Sequence, residues 1–243
     1  MDKSERGEKS FLAFLKYRLA KIYSIERKRD IDYRMLKKDV PLPIPNFIQL
    51  EPTTKCNCKC KTCTRRTINP RRLNKDLSLE DFKKIVAQIR PLKEIKLQGM
   101  GEPLLCQNLM NILAYGTSKG IEFTVITNGT VVSNENIEPI LKYFKNIVIS
   151  VDSPCKENFE KIREGASYDQ VLENVKKLIE CKKRIGLETI IGVNFVATHF
   201  NFGEIPLLFE LCERIGIDEI SIVEVENWMI PTQKGYSEER EFI

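Results

Sequence analysis

Apolar and polar residues alternate along this chain with two different periods, and the two periods follow each other in a regular order. Short apolar runs typical of buried strands are followed by longer stretches in which apolar residues recur as they do on a helix that buries one face. Beyond residue 45 the strand-like runs lie at 47–51, 95–97, 123–127, 147–151, 189–196 and 220–223. The helical stripes lie between them, at 82–89, 109–113, 137–144, 171–179 and 205–212. Strands that alternate with helices predict an α/β fold with a parallel sheet built from right-handed crossovers.

The first 45 residues have a different pattern. Leu12, Leu15, Leu19 and Ile22 lie at helical spacing, whereas the prolines between residues 40 and 45 cannot sustain a helix and predict an extended linker. The sequence therefore predicts an N-terminal basic helical extension with a Pro-rich linker over 1–45, a core domain over 46–228 and a tail over 229–243. The apolar stripe is expected to pack on the core domain, with peripheral contact to a membrane surface as the alternative. No apolar run reaches the roughly 18 residues that a membrane span needs.

Positive charge is concentrated in one part of the chain. The formal net charge is +5, and the stretch from residue 55 to residue 75 is rich in basic residues and contains no acid. The basic residues of this stretch are Lys55, Lys59, Lys61, Arg65, Arg66, Arg71, Arg72 and Lys75. Such a run is either a solvated loop or a surface that attracts an anionic partner or substrate. The sequence leaves both interpretations open.

The candidate chemistry lies in the same stretch. Four of the eight cysteines, Cys56, Cys58, Cys60 and Cys63, fall close together. Clustered cysteines in a chain without a recognisable signal peptide predict metal ligands rather than disulfides, and hence a reducing cytoplasm. One interpretation is a structural zinc ion held by all four thiolates, in a binding module whose basic loop contacts nucleic acid. Structural zinc usually draws its ligands from separated pairs of cysteines, so this arrangement would be cramped.

Cys56, Cys60 and Cys63 have the spacing C-x3-C-x2-C, which resembles the cluster loop of the radical S-adenosylmethionine (SAM) enzymes. A cubane [4Fe-4S] cluster normally takes four thiolates, so three leave one iron open for a ligand. The resemblance implies that this ligand is SAM. It also implies that Cys58 is a packed residue and not a ligand.

Further segments are similar to the same family, in the family's order. They are Gly99-Met100-Gly101-Glu102-Pro103, similar to the G-G-E-P segment, the turn Thr127-Asn128-Gly129, the polar residues Ser150 and Asp152 after the fourth strand, Asn194 on the fifth, and the R-x-G stretch Arg163-Glu164-Gly165. Taken singly, each is also an ordinary turn or strand end. The resemblance implies SAM contacts from Gly99, Gly101, Glu102, Thr127, Asn128, Ser150, Asp152 and Asn194. The R-x-G stretch is typical of the subgroup with SPASM or twitch extensions, although the C-terminal cysteines of that subgroup are missing here.

The resemblance implies a fold and an activity that periodicity could not supply. The fold is a partial (β/α)6 TIM-like barrel, which the pattern alone does not separate from a flat doubly wound sheet. The activity is reductive cleavage of SAM to a 5′-deoxyadenosyl radical, which abstracts a hydrogen atom from an unidentified substrate, expected to be a peptide or a cofactor precursor. An acidic flavodoxin or ferredoxin is the expected electron donor. Cys106 and Cys155, which follow the second and fourth strands, are candidate catalytic thiols, because chemistry collects at the carboxyl ends of parallel strands.

Overall fold

Six parallel strands form one sheet, and their order in the sheet is their order in the chain. The computed structural model describes residues 45–225. The strands are β1 (Phe47–Leu50), β2 (Glu94–Leu97), β3 (Glu122–Thr127), β4 (Phe144–Ser150), β5 (Ile190–Ala197) and β6 (Glu219–Glu224). The α-helices of the described residues are α1 (Leu79–Gln88), α2 (Leu109–Ser118), α3 (Ile137–Tyr143), α4 (Lys156–Ile162), α5 (Tyr168–Ile185) and α6 (Ile205–Ile215).

The sequential strand order separates a barrel from a doubly wound sheet. A doubly wound sheet reverses direction at a switch point and carries helices on both faces. Here every crossover steps to the next strand in the same direction, so right-handed connections place all helices on one face. The sheet curls away from the helices into an open half-barrel. The predicted partial TIM-like barrel is therefore confirmed.

The hydrophobic core lies between the sheet and the surrounding helices. Alternate residues of the strands point toward the helices and are almost completely buried, among them Ile95, Phe123 and Ile147. Phe82 of α1 is fully buried and packs against the ring of Phe123, with ring centroids 6.4 Å apart. Burial of one such side chain contributes about 1.5–3 kcal/mol, so this layer supplies the stability on which the more polar concave face depends.

The concave face of the sheet is lined by polar side chains. Gln49, Lys96, Thr124 and Asn146 are register partners on β1 to β4, so they lie at one level across the sheet. Four residues further along β4, Ser150 faces the same way and is paired with Asn194 of β5. An interior row of amides, hydroxyls and an ammonium is a poor core and a good surface for a polar ligand.

The structure differs from the sequence prediction in two places and leaves three segments undescribed. Phe144, placed on the stripe of the third helix, is the first residue of β4 and is buried there. The short helix α4 was not predicted, because its seven residues bury only Phe159 and Ile162. The N-terminal extension, its linker before residue 45 and the tail lie outside the described residues, so the domain boundaries stay predictions. Within the described part, none of the helices combines the length and apolarity required to cross a membrane.

Candidate active site

The loops after the strands meet at the carboxyl edge of the sheet, around the cysteines. We call residues 56–63 the cluster loop. The stretch that leads into it, residues 51–55, packs against the segment 99–103 that follows β2. The Glu102 amide donates to the Lys55 carbonyl at 2.7 Å, and the Met100 amide donates to the Glu51 carboxylate. The cluster loop is therefore anchored on its N-terminal side by the segment that resembles G-G-E-P.

The two glycines of that segment are required by this packing. A Cβ atom at Gly99 would lie 2.3 Å from Glu51 Oε1, and one at Gly101 would lie 2.0 Å from the Thr53 carbonyl oxygen. The contact at Gly101 is with backbone and cannot be relieved by rotating a side chain. The contact at Gly99 is with the Glu51 side chain, which could move away only by giving up its hydrogen bond from the Met100 amide. The close approach predicted for these glycines is thus made to the chain before the cysteines. Their predicted contacts with SAM stay predictions.

Glu102 joins the ends of β2 and β3. Its carboxylate is almost completely buried. Oε1 accepts from the Thr127 hydroxyl at 2.7 Å and the Leu104 amide at 3.1 Å, and Oε2 accepts from the Asn128 amide at 2.7 Å. Burial raises the pKa of Glu102 to about 7, against these hydrogen bonds, which favour the charged form. The carboxylate therefore holds the turn after β3 in place.

Asn128 connects this turn to the cluster loop. Its side-chain nitrogen donates to Asn57 Oδ1 at 2.9 Å and lies 3.4 Å from the Cys58 sulfur. Its side-chain oxygen accepts from the Thr130 amide at 2.9 Å. Glu102, Asn128 and Asn57 thus form a continuous chain of hydrogen bonds from β2 to the cysteines. These bonds show that the side chains of Thr127 and Asn128 hold neighbouring segments together. Their predicted contacts with SAM stay predictions.

The four clustered cysteines are not equivalent. Cys58 is buried, whereas Cys56, Cys60 and Cys63 are partly accessible. Hydrogen bonding with the Cys58 thiol lowers the pKa of Cys56 to about 6 and that of Cys60 to about 7, and the same bonds raise the pKa of Cys58. Burial raises the pKa of Cys63, whose sulfur accepts from the Arg65 amide at 3.5 Å. The donor set suits a [4Fe-4S] cluster, because thiolates are its ligands and the three partly accessible cysteines can supply them.

No group of three cysteine, histidine or carboxylate side chains within residues 45–225 is already arranged around a common point. Cys56, Cys60 and Cys63 therefore share one loop, but their sulfur atoms are not gathered at one point in this structure.

At the ends of β4 and β5 the structure separates two kinds of polar residue. Ser150 and Asn194 lie side by side on the concave face. Asp152 is only 1% exposed. Its Oδ1 accepts from the Val196 amide at 3.0 Å, and its Oδ2 lies 2.8 Å from Arg163 Nη2. Oδ1 of Asp152 is thus hydrogen-bonded within the protein, and Oδ2 is in ion-pair contact with Arg163 but accepts no hydrogen bond among the described residues. Ser150 and Asn194, by contrast, face the open side of the half-barrel.

The two candidate catalytic thiols have different surroundings. Cys106 ends the short 3-10 turn after segment 99–103 and is 5% exposed, and burial raises its pKa. Cys155 is partly exposed and precedes α4, and its amide donates to the Ser153 hydroxyl at 3.0 Å. A hydrogen-atom donor must reach the substrate, so accessibility favours Cys155 of the two. Their catalytic roles stay predictions.

Sequence reasoning missed the structural role of Glu51 and the position of Arg163. Glu51 ends the first strand-like run, and the only signal in the sequence is a carboxylate just before a cysteine loop. Arg163 was recognised only as part of the R-x-G stretch. The structure places it beneath the cluster loop, 4.0 Å from the Cys60 sulfur.

A family model of the radical SAM superfamily matches residues 50–197, more than half of the chain. The protein belongs to this family and is an enzyme of the radical SAM class. Members of the family use a [4Fe-4S] cluster and SAM, which are the cofactors that the cysteine spacing led us to expect.

Individual relatives share only part of their length with this chain. The cofactor-modifying protein of the tungsten-containing aldehyde ferredoxin oxidoreductase of Pyrococcus furiosus is 25% identical over 72% of this chain and 50% of its own length. The GTP 3′,8-cyclase of Peptoclostridium acidaminophilum is 28% identical over 66% of this chain and 49% of its own length. The chain therefore spans about half the length of the curated relatives it matches.

Solved structures share the fold. Streptococcus suis SuiB bound to its precursor peptide SuiA superimposes with a TM-score of 0.65 and 20% identity, over 84% of this chain and 45% of SuiB. The complex of SuiB with SAM gives the same TM-score, over 85% of this chain and 46% of SuiB. At this level of identity the likeness concerns the half-barrel and not the substrate.

Proposed function

We propose that this chain binds a [4Fe-4S] cluster through Cys56, Cys60 and Cys63 and cleaves SAM reductively, so that the resulting 5′-deoxyadenosyl radical removes a hydrogen atom from a substrate. The bound cluster supplies the electron and the open iron site for SAM. The observation that carries the proposal is the set of hydrogen bonds that joins the cluster loop to the segments after β2 and β3. Neither the fold nor the similar proteins support the alternative of a zinc-binding, nucleic-acid-binding module.

The residues of the site divide into those that hold the chain and those that face a ligand. Glu102, Asp152 and Asn128 are engaged with neighbouring residues and fix the loops. Ser150 and Asn194 present a hydroxyl and an amide on the concave face, where they suit the hydroxyl groups of the SAM ribose. The backbone of segment 99–103, fixed by Glu51, presents its remaining polar groups to the methionine end of SAM.

Anaerobic reconstitution tests the proposal directly. The purified protein is expected to take up iron and sulfide, to turn brown, and to form 5′-deoxyadenosine and methionine from SAM when dithionite is added. Detection is by liquid chromatography with mass spectrometry. A colourless protein that binds zinc and yields no 5′-deoxyadenosine would contradict the proposal.

An anionic group on the substrate is supported by Lys96. Its side chain is half-buried on the concave face, where burial lowers its pKa despite the nearby charge of Glu94, and it forms no ion pair within residues 45–225. Two strands away at the same level, the buried side-chain oxygen of Asn146 lacks a hydrogen-bond partner in the described part. A carboxylate would satisfy the ammonium, and a neighbouring N–H would satisfy the amide oxygen. A peptide with an acidic side chain or a free C-terminus offers both, and SuiB was solved with a peptide.

The basic stretch after the cluster loop supports docking of an acidic electron donor. Arg65 is not available for this purpose, since its guanidinium donates to the Thr54 carbonyl at 3.2 Å and to Asn74 at 3.3 Å. Arg71 and Arg72 are exposed on a short 3-10 turn. The chain then returns to the stretch that leads into the cluster loop, because the Thr54 amide donates to the Lys75 carbonyl at 2.8 Å. The flavodoxins and ferredoxins that serve as cytoplasmic donors are acidic.

Charge reversal at Arg71 and Arg72 is expected to slow 5′-deoxyadenosine formation driven by a flavodoxin or ferredoxin about tenfold at low salt, while dithionite-driven formation is nearly unchanged. Electrostatic steering acts on association rate and fades with salt, because the Debye length is about 8 Å at physiological ionic strength. The matched control is charge reversal at Lys176 and Lys183, which are exposed on α5. Equal loss with both reductants would show that the two arginines serve SAM or substrate.

A further inference from the structure

A second segment, residues 162–165, also holds the cluster loop. The Lys59 amide donates to the Glu164 carbonyl at 2.7 Å, and the Lys61 amide donates to the Ile162 carbonyl at 2.8 Å. Gly165 follows with a φ of +94°, and a Cβ atom there would lie 3.1 Å from the Asn57 carbonyl oxygen. The segment between α4 and α5 is thus bonded to the middle of the cluster loop through alternate residues.

Arg163 lies between the two carbonyls that receive these bonds, and its side chain extends beneath the loop. It is 8% exposed. One guanidinium nitrogen, Nη2, is 2.8 Å from Asp152 Oδ2, and the other, Nη1, is 4.0 Å from the sulfur of Cys60. Its Nε has no hydrogen-bond partner within residues 45–225. The guanidinium therefore spans a buried carboxylate and a cysteine of the motif.

The pair brings a guanidinium and a carboxyl group together beside the cluster loop. A guanidinium stays protonated in proteins, and Asp152 is held by the Val196 amide and by Arg163 itself. In a site with little water, such charges act strongly on their neighbours. Reduction adds one negative charge to an iron–sulfur cluster. A nearby positive charge therefore favours the reduced cluster, and a nearby negative charge favours the oxidised one.

We propose that Arg163 is a positioning residue for the cluster: it fixes the Cys60 side of the loop, and its positive charge, opposed by Asp152, sets how readily the cluster accepts an electron. This rests on the proposed function, since it requires a cluster bound through Cys60. It goes beyond that function because it states that the buried ion pair changes the reduction potential of the cluster. A pair with only a packing role would affect cluster retention but not the affinity of the retained cluster for an electron.

The experiment is a reductive titration of the reconstituted protein, followed by the electron paramagnetic resonance signal of the reduced cluster. Five variants are compared with the wild type: Arg163→Lys, Arg163→Met, Asp152→Asn, the double variant Arg163→Met/Asp152→Asn, and the control Arg184→Met. Arg184 forms an ion pair of 3.0 Å with Glu138 on the outer helices and is largely exposed. Iron content is measured for each variant, so that loss of the cluster is separated from a change in its reduction.

The two single neutralising variants are expected to shift in opposite directions. The variants are compared at the solution potential at which half of the wild-type cluster is reduced. At this potential Arg163→Met is expected to lower the ratio of reduced to oxidised cluster about tenfold, which corresponds to a midpoint potential about 59 mV lower for a one-electron step. Asp152→Asn raises this ratio, and the double variant lies between the two single variants. Arg163→Lys, which keeps the charge, stays closer to the wild type than Arg163→Met, and Arg184→Met is unchanged.

Shifts in the same direction for Arg163→Met and Asp152→Asn, or unchanged ratios in both, would overturn the proposal. If Arg163→Met binds no iron, Asp152→Asn decides, because a raised ratio supports the proposal and an unchanged ratio refutes it. A wild-type protein that takes up no cluster refutes the proposed function itself. The two failures are therefore distinguishable.

Discussion

Replacement of Cys56, Cys60 or Cys63 by alanine is expected to abolish 5′-deoxyadenosine formation, whereas Cys58→Ser is expected to retain most of its iron. In the proposed site each of the three thiolates would bind one iron of the cluster, so loss of one would leave that iron without its protein ligand. Cys58 is buried, and its sulfur contacts the side-chain nitrogen of Asn128. A serine hydroxyl there keeps a hydrogen-bond acceptor of similar size.

Iron content, visible absorbance and 5′-deoxyadenosine are measured after anaerobic reconstitution of each variant. Cys181→Ser serves as the matched control, because Cys181 is also buried but lies on α5, away from the cluster loop. Equal iron loss from all four loop variants would contradict the assignment. It would instead favour the site with four thiolates that the sequence left open.

Glu102→Ala is expected to reduce SAM affinity by one to two orders of magnitude and to lower the thermal stability of the protein. The carboxylate accepts from the Thr127 hydroxyl and from the amides of Leu104 and Asn128. A buried donor left without a partner costs about 1–3 kcal/mol, so removal of the acceptor frees the turn after β3 and, through Asn128, the cluster loop. Glu102→Gln keeps one acceptor oxygen and is expected to have a smaller effect. The matched control is Glu138→Gln, an exposed carboxylate on α3.

The pH dependence of stability provides a second measurement on the same residue. The folded protein raises the pKa of Glu102 from its ordinary value of 4.5 to about 7 through burial. Between these values the folded state binds more protons than the unfolded state, so this group makes stability fall as pH rises from about 4.5 to about 7. Thermal unfolding at pH 5 and pH 8 is expected to show a larger decrease for the wild type than for Glu102→Gln. Equal decreases, with unchanged SAM affinity, would mean that segment 99–103 is only a turn.

The hydrogen bonds around Glu102 and Asp152 change the meaning of the sequence resemblance. Both carboxylates stand at positions where the resemblance implies SAM contacts, yet in this structure their oxygens bind backbone amides, a hydroxyl and a guanidinium. Their contribution to SAM binding then comes through the loops that they hold. Mutational loss of affinity at these two residues is expected even where no atom of theirs touches SAM.

The sequence by itself determined the order and type of most elements. It could do so because side chains alternate across a strand and recur along a helix face, so burial leaves a local pattern. Where burial was sparse, as in α4, or where a helix ran directly into a strand, as at Phe144, that pattern was too short to separate the elements.

Only the tertiary structure decided which polar side chains face a ligand and which hold the protein together. Glu102 meets Asn128 from 26 positions away, and Arg163 meets Cys60 from 103 positions away. No local period records such contacts, since they depend on which loops the sheet brings to one edge. The strand order, which places every helix on one face and opens the other, is likewise a property of the assembled sheet. The cysteine spacing therefore predicted the cofactors through its resemblance to a known family. The contacts between distant segments showed which groups the side chains of Glu102, Asp152 and Arg163 bind around the cysteines.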